Sequence, residues 1–329
     1  MIYPKFLSER ATAGITAPSC GIPEVKRGAF AKSLGTLERN GIKTILTDNV
    51  YKCGMIASTP PDVRARELHS LIERADIDMV IAASGGDMLI EMLDYIDYER
   101  IKASPKWIMG YSDITGLILP ITLKCDIATI YGPNAGGFDL DELHPMLESV
   151  FPLLRGEPNI QHSSKMHERE RKDDGAAYNL DTPTVWDSPS GDFTSCGRML
   201  SSCIDCSRHL VGTDFAPVGE FIDRYRDDGI IWNFDNYALT AEELYYSLWN
   251  MKHAGWFGNT RAVMISRTMF EGSPFGLSYR EAATNALGDI PVVLGTDTGH
   301  VKPMMPLVNG AMTRLTVKDR GGMLEQSYM

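Results

Sequence analysis

A serine, an acid and a histidine stand where three apolar runs of this chain end. Ser112 lies within "WIMGYSDITGLILPI". Trp107, Ile108 and Met109 form a short apolar run suited to a buried strand, and Gly110 permits a tight change of direction. Ile114, Leu117, Ile118 and Ile121 follow at helical spacing. A polar residue at such a bend is the geometry of a nucleophile elbow, which holds a hydroxyl at the mouth of a parallel sheet. Serine ahead of a helix is also an ordinary N-cap, and this stretch leaves both roles open.

A serine hydroxyl is a weak nucleophile until a base takes its proton and a third group orients that base. Histidine is the usual base, and the chain has seven. His69, His144, His209 and His253 fall in predicted helices among polar neighbours, where surface roles are expected. His162 and His167 lie in a polar connector. His300 follows the apolar strand Val292-Val293-Leu294 and a glycine-bearing loop, "GTDTGH", so its ring can reach a cleft. A loop histidine bonded to backbone is the alternative. For the acid, "IIWNFD" ends in Asp235, where a partly buried carboxylate needs a partner. Glu242 and Glu243 sit in the first turn of a helix and gain from its dipole alone.

Acyl transfer also needs backbone N–H groups aimed at the developing oxyanion. "SGGD", after the apolar run "DMVIAA", can supply one from Gly86 or Asp87, and the amide of Asp113 is the second natural donor. Ser84 and Asp87, flanking the glycines, are candidate substrate contacts. The stretch lacks both the G-x-G-x-x-G spacing of a dinucleotide site and the lysine of a phosphate loop. "CIDC", Cys203 to Cys206, has redox or half-zinc spacing, but no second pair completes a zinc site, so buried free thiols are expected.

The elements that must position these residues alternate. Through the first 150 residues strand-like runs ("AGITAPS", "IKTILTD", "DMVIAAS", "WIMG", "ATIYG") alternate with helix-like ones ("FAKSLGTLERN", "PPDVRARELHSLIERADI", "DMLIEMLDYI"), which implies a mostly parallel sheet flanked by helices. Ligands bind such sheets beyond the carboxyl ends of the strands, where "SGG" and Ser112 both fall. Residues 155–192 are polar, rich in turn formers and without a clear period, as befits a connecting segment. Beyond it "GIIWNFD", "RAVMISR" and "PVVLGTDTGH" read as strands. "TAEELYYSLWNMKHAG" reads as a helix capped by Thr240 and ended by Gly255.

The net charge of −11 argues against a nucleic-acid partner, which would need a basic face. No apolar run approaches the roughly twenty residues of a membrane helix, and the N-terminus lacks a secretory signal, so cytoplasmic residence without membrane contact is expected.

Four blocks in order, "SGGDMLIEMLDYIDYERI", "GYSDITGL" with "IYGP", "GRMLSSCIDCSRHLVGT" and "GTDTGHVKPMMPLVNG", resemble the LD-carboxypeptidase family of serine peptidases, which also contains the microcin C self-immunity proteins. The resemblance implies an N-terminal, mostly parallel flavodoxin/Rossmann-like α/β domain (1–154), the connector (155–192) and a smaller C-terminal mixed β/α domain (193–329), with the site at their junction. It implies a Ser–Glu–His triad without metal or organic cofactor. Ser112 and His300 match it, whereas the glutamate position falls on Asp235, one methylene shorter. It implies Gly86 and Asp113 as backbone oxyanion donors, and a homodimer.

The family's peptidases remove the terminal D-alanine from muropeptide tetrapeptides. Its immunity proteins cleave the bond joining a peptide or amino acid to a modified nucleotide, with an aromatic residue stacked on the base. Trp186 is the candidate for that stacking, and a tryptophan anchoring the connector to the body is the alternative. The Asp-for-Glu difference leaves a non-catalytic binding protein as a third reading. An esterase is disfavoured because the Gly-x-Ser-x-Gly signature is missing.

Overall fold

The computed structural model describes residues 1–170 and 175–328, so positions 171–174 of the connector, and Met329, lie outside the described residues. Two sheets carry the fold. The first has six strands in the order Leu307–Asn309, Thr129–Tyr131, Trp107–Gly110, Met79–Ala82, Ala11–Thr16, Ile42–Leu46. The last five are parallel, and Leu307–Asn309 pairs antiparallel with Thr129–Tyr131. These strands are short, and all but Ile42–Leu46 are almost wholly buried, the pattern of a sheet covered on both faces.

Helices Arg27–Arg39, Pro61–Glu73 and Thr115–Cys125 connect them, much as the alternation predicts. Gly41, at φ +84°, ends the first helix as expected. The run "DMLIEMLDYI" instead winds as a 3₁₀ segment, Leu89–Tyr95.

The second sheet has seven strands: Val292–Thr296, Thr260–Ser266, Ile230–Asp235, Phe193–Cys203, Met312–Lys318, Gly321–Ser327 and Asn159–His162. The first four are parallel and the rest antiparallel, the mixed C-terminal architecture expected. Helix Ala241–His253 opens with a capping box between Thr240 and Glu243. Two segments cross the boundaries read from sequence. Asn159–His162, placed in the connector, is an edge strand of the second sheet, and Leu307–Asn309 joins the first sheet from the far end of the chain.

The carboxyl ends of the parallel strands in the two sheets face one another. Ser112 follows the strand Trp107–Gly110, Gly85 and Gly86 follow Met79–Ala82, Asp235 ends Ile230–Asp235, and His300 follows Val292–Thr296. Hydrogen bonds cross the junction from Tyr131 to Asp235, from Cys203 N–H to the Thr115 hydroxyl and from Ser201 N–H to Asn309. The first sheet changes winding direction between Ala11–Thr16 and Met79–Ala82, and the loops after those two strands line that crevice.

Candidate active site

The bend that follows Gly110 places Ser112 at φ +66°, in the left-handed region that a Cβ disfavours. Its side chain caps neither the short 3₁₀ turn it begins nor the helix beyond. The hydroxyl instead lies 3.0 Å from His300 Nε2. The N-cap role is thereby set aside.

His300 Nδ1 faces Asp235 Oδ2 at 2.8 Å, within ion-pair reach, although its N–H is not aligned for a straight hydrogen bond. The His300 backbone N–H donates to Asp235 Oδ1 at 3.3 Å, so the carboxylate holds the loop as well as the ring. Tyr111 and Tyr237 flank the imidazole, with ring centroids 5.0 and 4.3 Å away. Asp235 is fully buried and accepts from the Tyr131 hydroxyl at 2.5 Å and the Ser266 hydroxyl at 3.2 Å. Burial pushes this carboxyl up, but the His300 charge and the hydrogen bonds around it outweigh that and hold it below the usual carboxylate range.

The glycine-pair loop lies against Ser112. A Cβ on Gly85 would stand 3.1 Å from Ser112 Cβ and 3.3 Å from its Oγ, and one on Gly86 would run into Ser19 and Cys20. Asp113 anchors this loop through its side chain, accepting from the Ser19 hydroxyl at 2.5 Å and the Leu89 N–H at 2.8 Å. Burial pushes the Asp113 carboxyl up. Arg64, wholly buried, donates to the carbonyls of Pro18 and Met88 on either side of the loop. Ser84 is half-buried and Asp87 exposed on the same rim.

Models of the LD-carboxypeptidase N-terminal and C-terminal domains match residues 13–132 and 196–315. The chain belongs to the LD-carboxypeptidase family. It is 23% identical over 349 residues to the microcin C7 self-immunity protein MccF of Escherichia coli, spanning 98% of this chain and 93% of that one. Its fold matches the structure of MccF in complex with aspartyl sulfamoyl adenosine at a TM-score of 0.83 and 21% identity, over 100% of this chain and 99% of that one. It also matches a muramoyltetrapeptide carboxypeptidase from Oxalobacter formigenes, at 0.77 and 18% identity, over 97% and 99%.

Within this LD-carboxypeptidase fold Trp186 is not a surface for a base. Its ring is fully buried with Met146, Met305 and Leu315, and Nε1 donates to Asp297 Oδ2 at 2.8 Å. Asp297 is also paired with Arg267 at 2.8 Å. Trp186 therefore ties the connector to the loop that carries His300, the anchoring alternative. The expectation of surface roles also fails for His69, which is buried and accepts the Asp97 N–H at 3.1 Å.

The six cysteines are free; of the CIDC pair Cys203 is buried as expected, whereas Cys206 is only half-buried. Among the described residues Cys203, Asp235 and His300 bring potential metal-ligand atoms within 4.8 Å of one another. The hydrogen bond its S–H donates to Cys206, and then burial, push the Cys203 thiol well above its usual range, so it stays protonated and makes a poor ready-made ligand.

Sequence reasoning missed Tyr131 and Gly299. The "IYGP" block contains Tyr131, but a tyrosine at the end of a strand reads as core. Gly299 has φ +107°, and a Cβ there would overlap the Asp235 carboxylate. The Asp235 carboxylate thus packs directly against the Gly299 backbone.

Proposed function

We propose that this protein is a serine hydrolase that cleaves an amide in a small peptide-like substrate, with Ser112 as nucleophile, His300 as base and Asp235 as the orienting acid. The reading takes 1–154 as the unit carrying the nucleophile and 193–329 as the unit carrying the acid and base. The observation that carries it is the chain of contacts from Ser112 Oγ to His300 Nε2 at 3.0 Å and from His300 Nδ1 to Asp235 at 2.8 Å. In this mechanism His300 takes the Ser112 proton as Oγ attacks the scissile carbonyl. The amides of Gly86 and Asp113 stabilise the tetrahedral oxyanion. His300 then protonates the leaving amine, and a water activated by the same imidazole releases the acyl group. Asp235 fixes the ring and stabilises the imidazolium that forms.

The leading substrate is a muropeptide tetrapeptide losing its terminal D-alanine, with the protein working as a cytoplasmic homodimer. Family membership and the similarity to a muramoyltetrapeptide carboxypeptidase support it. A second reading, hydrolysis of aminoacyl- or peptidyl-nucleotides, is favoured by one specific feature. Tyr237, 38% exposed beside His300, meets Phe270, 56% exposed, edge to face at 5.4 Å, which offers aromatic surface on which a base can stack. MccF, whose structure with aspartyl sulfamoyl adenosine has the same fold, makes this the natural rival.

Mass-spectrometric turnover of a muropeptide tetrapeptide and of an aminoacyl-sulfamoyl adenosine, with Ser112→Ala alongside, separates them. Release of D-alanine by the unaltered protein alone supports the first reading, and release of the amino acid from the nucleotide supports the second. No turnover of either by folded protein supports a binding protein instead.

A further inference from the structure

Tyr131 belongs to the first sheet and Asp235 to the second, and a single phenol joins them. The Tyr131 hydroxyl, fully buried, donates to Asp235 Oδ2 at 2.5 Å and accepts the Ser112 backbone N–H at 3.4 Å. One oxygen therefore touches the main chain of the nucleophile and the side chain of the acid. Asp235 Oδ2 is also the oxygen that faces His300 Nδ1. Burial, and then the charge of Asp235, push the phenol well above its usual range, so it remains a donor at every working pH.

Resting on the serine-hydrolase reading above, we propose that Tyr131 is a positioning residue that locks the acid to the nucleophile's bend and sets how much of the Asp235 charge acts on His300. An aspartate can rotate about its last torsion, and three donors prevent this. Ser266 and the His300 N–H hold Oδ1, while Tyr131 holds Oδ2. The phenol also draws charge from Oδ2. Without it the whole carboxylate charge stabilises the imidazolium, and neutral imidazole, the form that takes the serine proton, appears only at higher pH.

The other titratable groups facing this pair do not substitute for Tyr131. From the strand Phe193–Cys203, the Cys203 thiol lies within the same 4.8 Å cluster and stays neutral. Asp205, in the turn after it, repels Asp235, and burial pushes its own carboxyl up. Tyr111 and Tyr237 meet the imidazole through their rings. Among the described residues none of these donates to Asp235 Oδ2.

The test is the second-order rate of labelling by a fluorophosphonate across about pH 5 to 9, bracketing histidine titration, for the unaltered full chain, Tyr131→Phe, Asp235→Asn, the double variant and Ser112→Ala. Loss of a hydrogen bond to a charged group should slow Tyr131→Phe labelling about tenfold. Its acid limb should move upward by roughly half a pH unit. In the Asp235→Asn background the same change should cost less than about twofold, because the phenol acts through the carboxylate.

An equal loss in both backgrounds, or an unmoved acid limb, overturns the positioning role while leaving the serine-hydrolase reading intact. Failure of the unaltered chain to label at all overturns that reading and the role with it. If Tyr131→Phe does not fold, 3,5-difluorotyrosine placed at 131 keeps the ring and strengthens the donor. The acid limb should then move down, and an unmoved limb again overturns the role.

Discussion

Ser112 Oγ and His300 Nε2 meet at 3.0 Å although 188 positions separate them in the chain. They meet because the carboxyl rims of two parallel arrays face each other, one holding a strained bend and the other a glycine-bearing loop. The first sheet supplies Ser112 and the Tyr131 hydroxyl, and the second supplies His300 and Asp235.

The conformation of Ser112 carries a stability cost. At φ +66° any residue with a Cβ is strained, by about 1 kcal/mol. Ser112→Gly should therefore raise the unfolding free energy by roughly that amount while abolishing turnover. Ser112→Ala should abolish turnover with no such gain. Chemical denaturation of the two variants beside the unaltered protein measures the difference.

The acid is fitted to its space. Asp235→Asn keeps the shape but favours the wrong imidazole tautomer, and should lower kcat by about 10⁴-fold. Asp235→Glu should also lower activity, because the carboxylate packs directly against the Gly299 backbone and an added methylene displaces it. Gly299→Ala strikes the same carboxylate from the other side, and at φ +107° it is strained as well, so it should lose both activity and thermal stability. Steady-state kinetics and melting curves for the three variants check this.

The Asp235 carboxyl is held below its ordinary value in the folded protein. Its ionised form thus contributes stability that is fully present above the unfolded-state pKa of about 3.9. That contribution is lost as pH falls through the lower folded value. The stability gap between the unaltered protein and Asp235→Asn should be constant at neutral pH and close below about pH 4. Urea titrations at a series of acid pH values measure it.

Trp186 is fully buried and braces the loop that carries His300 through Asp297. Trp186→Phe leaves the buried Asp297 carboxylate one donor short and should cost about 1–3 kcal/mol of stability. Its KM for an aminoacyl-nucleotide should stay close to that of the unaltered protein, whereas a base-stacking tryptophan would give a large rise. Denaturation and substrate titration of this one variant decide between the two.

Much of this site was legible in the sequence because parallel strands announce themselves as apolar runs and their ends mark the rim. Ser112, Asp235, His300 and the glycine pair could all be placed that way. The strand Phe193–Cys203 was harder. Its buried end carries Ser201, satisfied by Asn309 and Asn233 from distant segments, and Ser202, bonded to Ser207 in the next short helix, so its polar composition does not mark it as core.

Tyr131 and Trp186 failed to announce their roles for a related reason. The partner of the Tyr131 hydroxyl is 104 positions away and that of the Trp186 indole 111, and composition and spacing carry no trace of such pairings. The Asn159–His162 strand alternates buried and exposed residues, but over only four positions, too few to stand out within a polar connector.

The most direct measurement is peptide mapping by mass spectrometry after treatment with a fluorophosphonate, on the unaltered protein, Ser112→Ala and His300→Ala. A single adduct on Ser112, absent from Ser112→Ala and slowed by at least about 10²-fold in His300→Ala, is the predicted result. An inert Ser112, an adduct on another residue, or undiminished labelling without His300 would contradict the assignment of Ser112 as a nucleophile activated by His300.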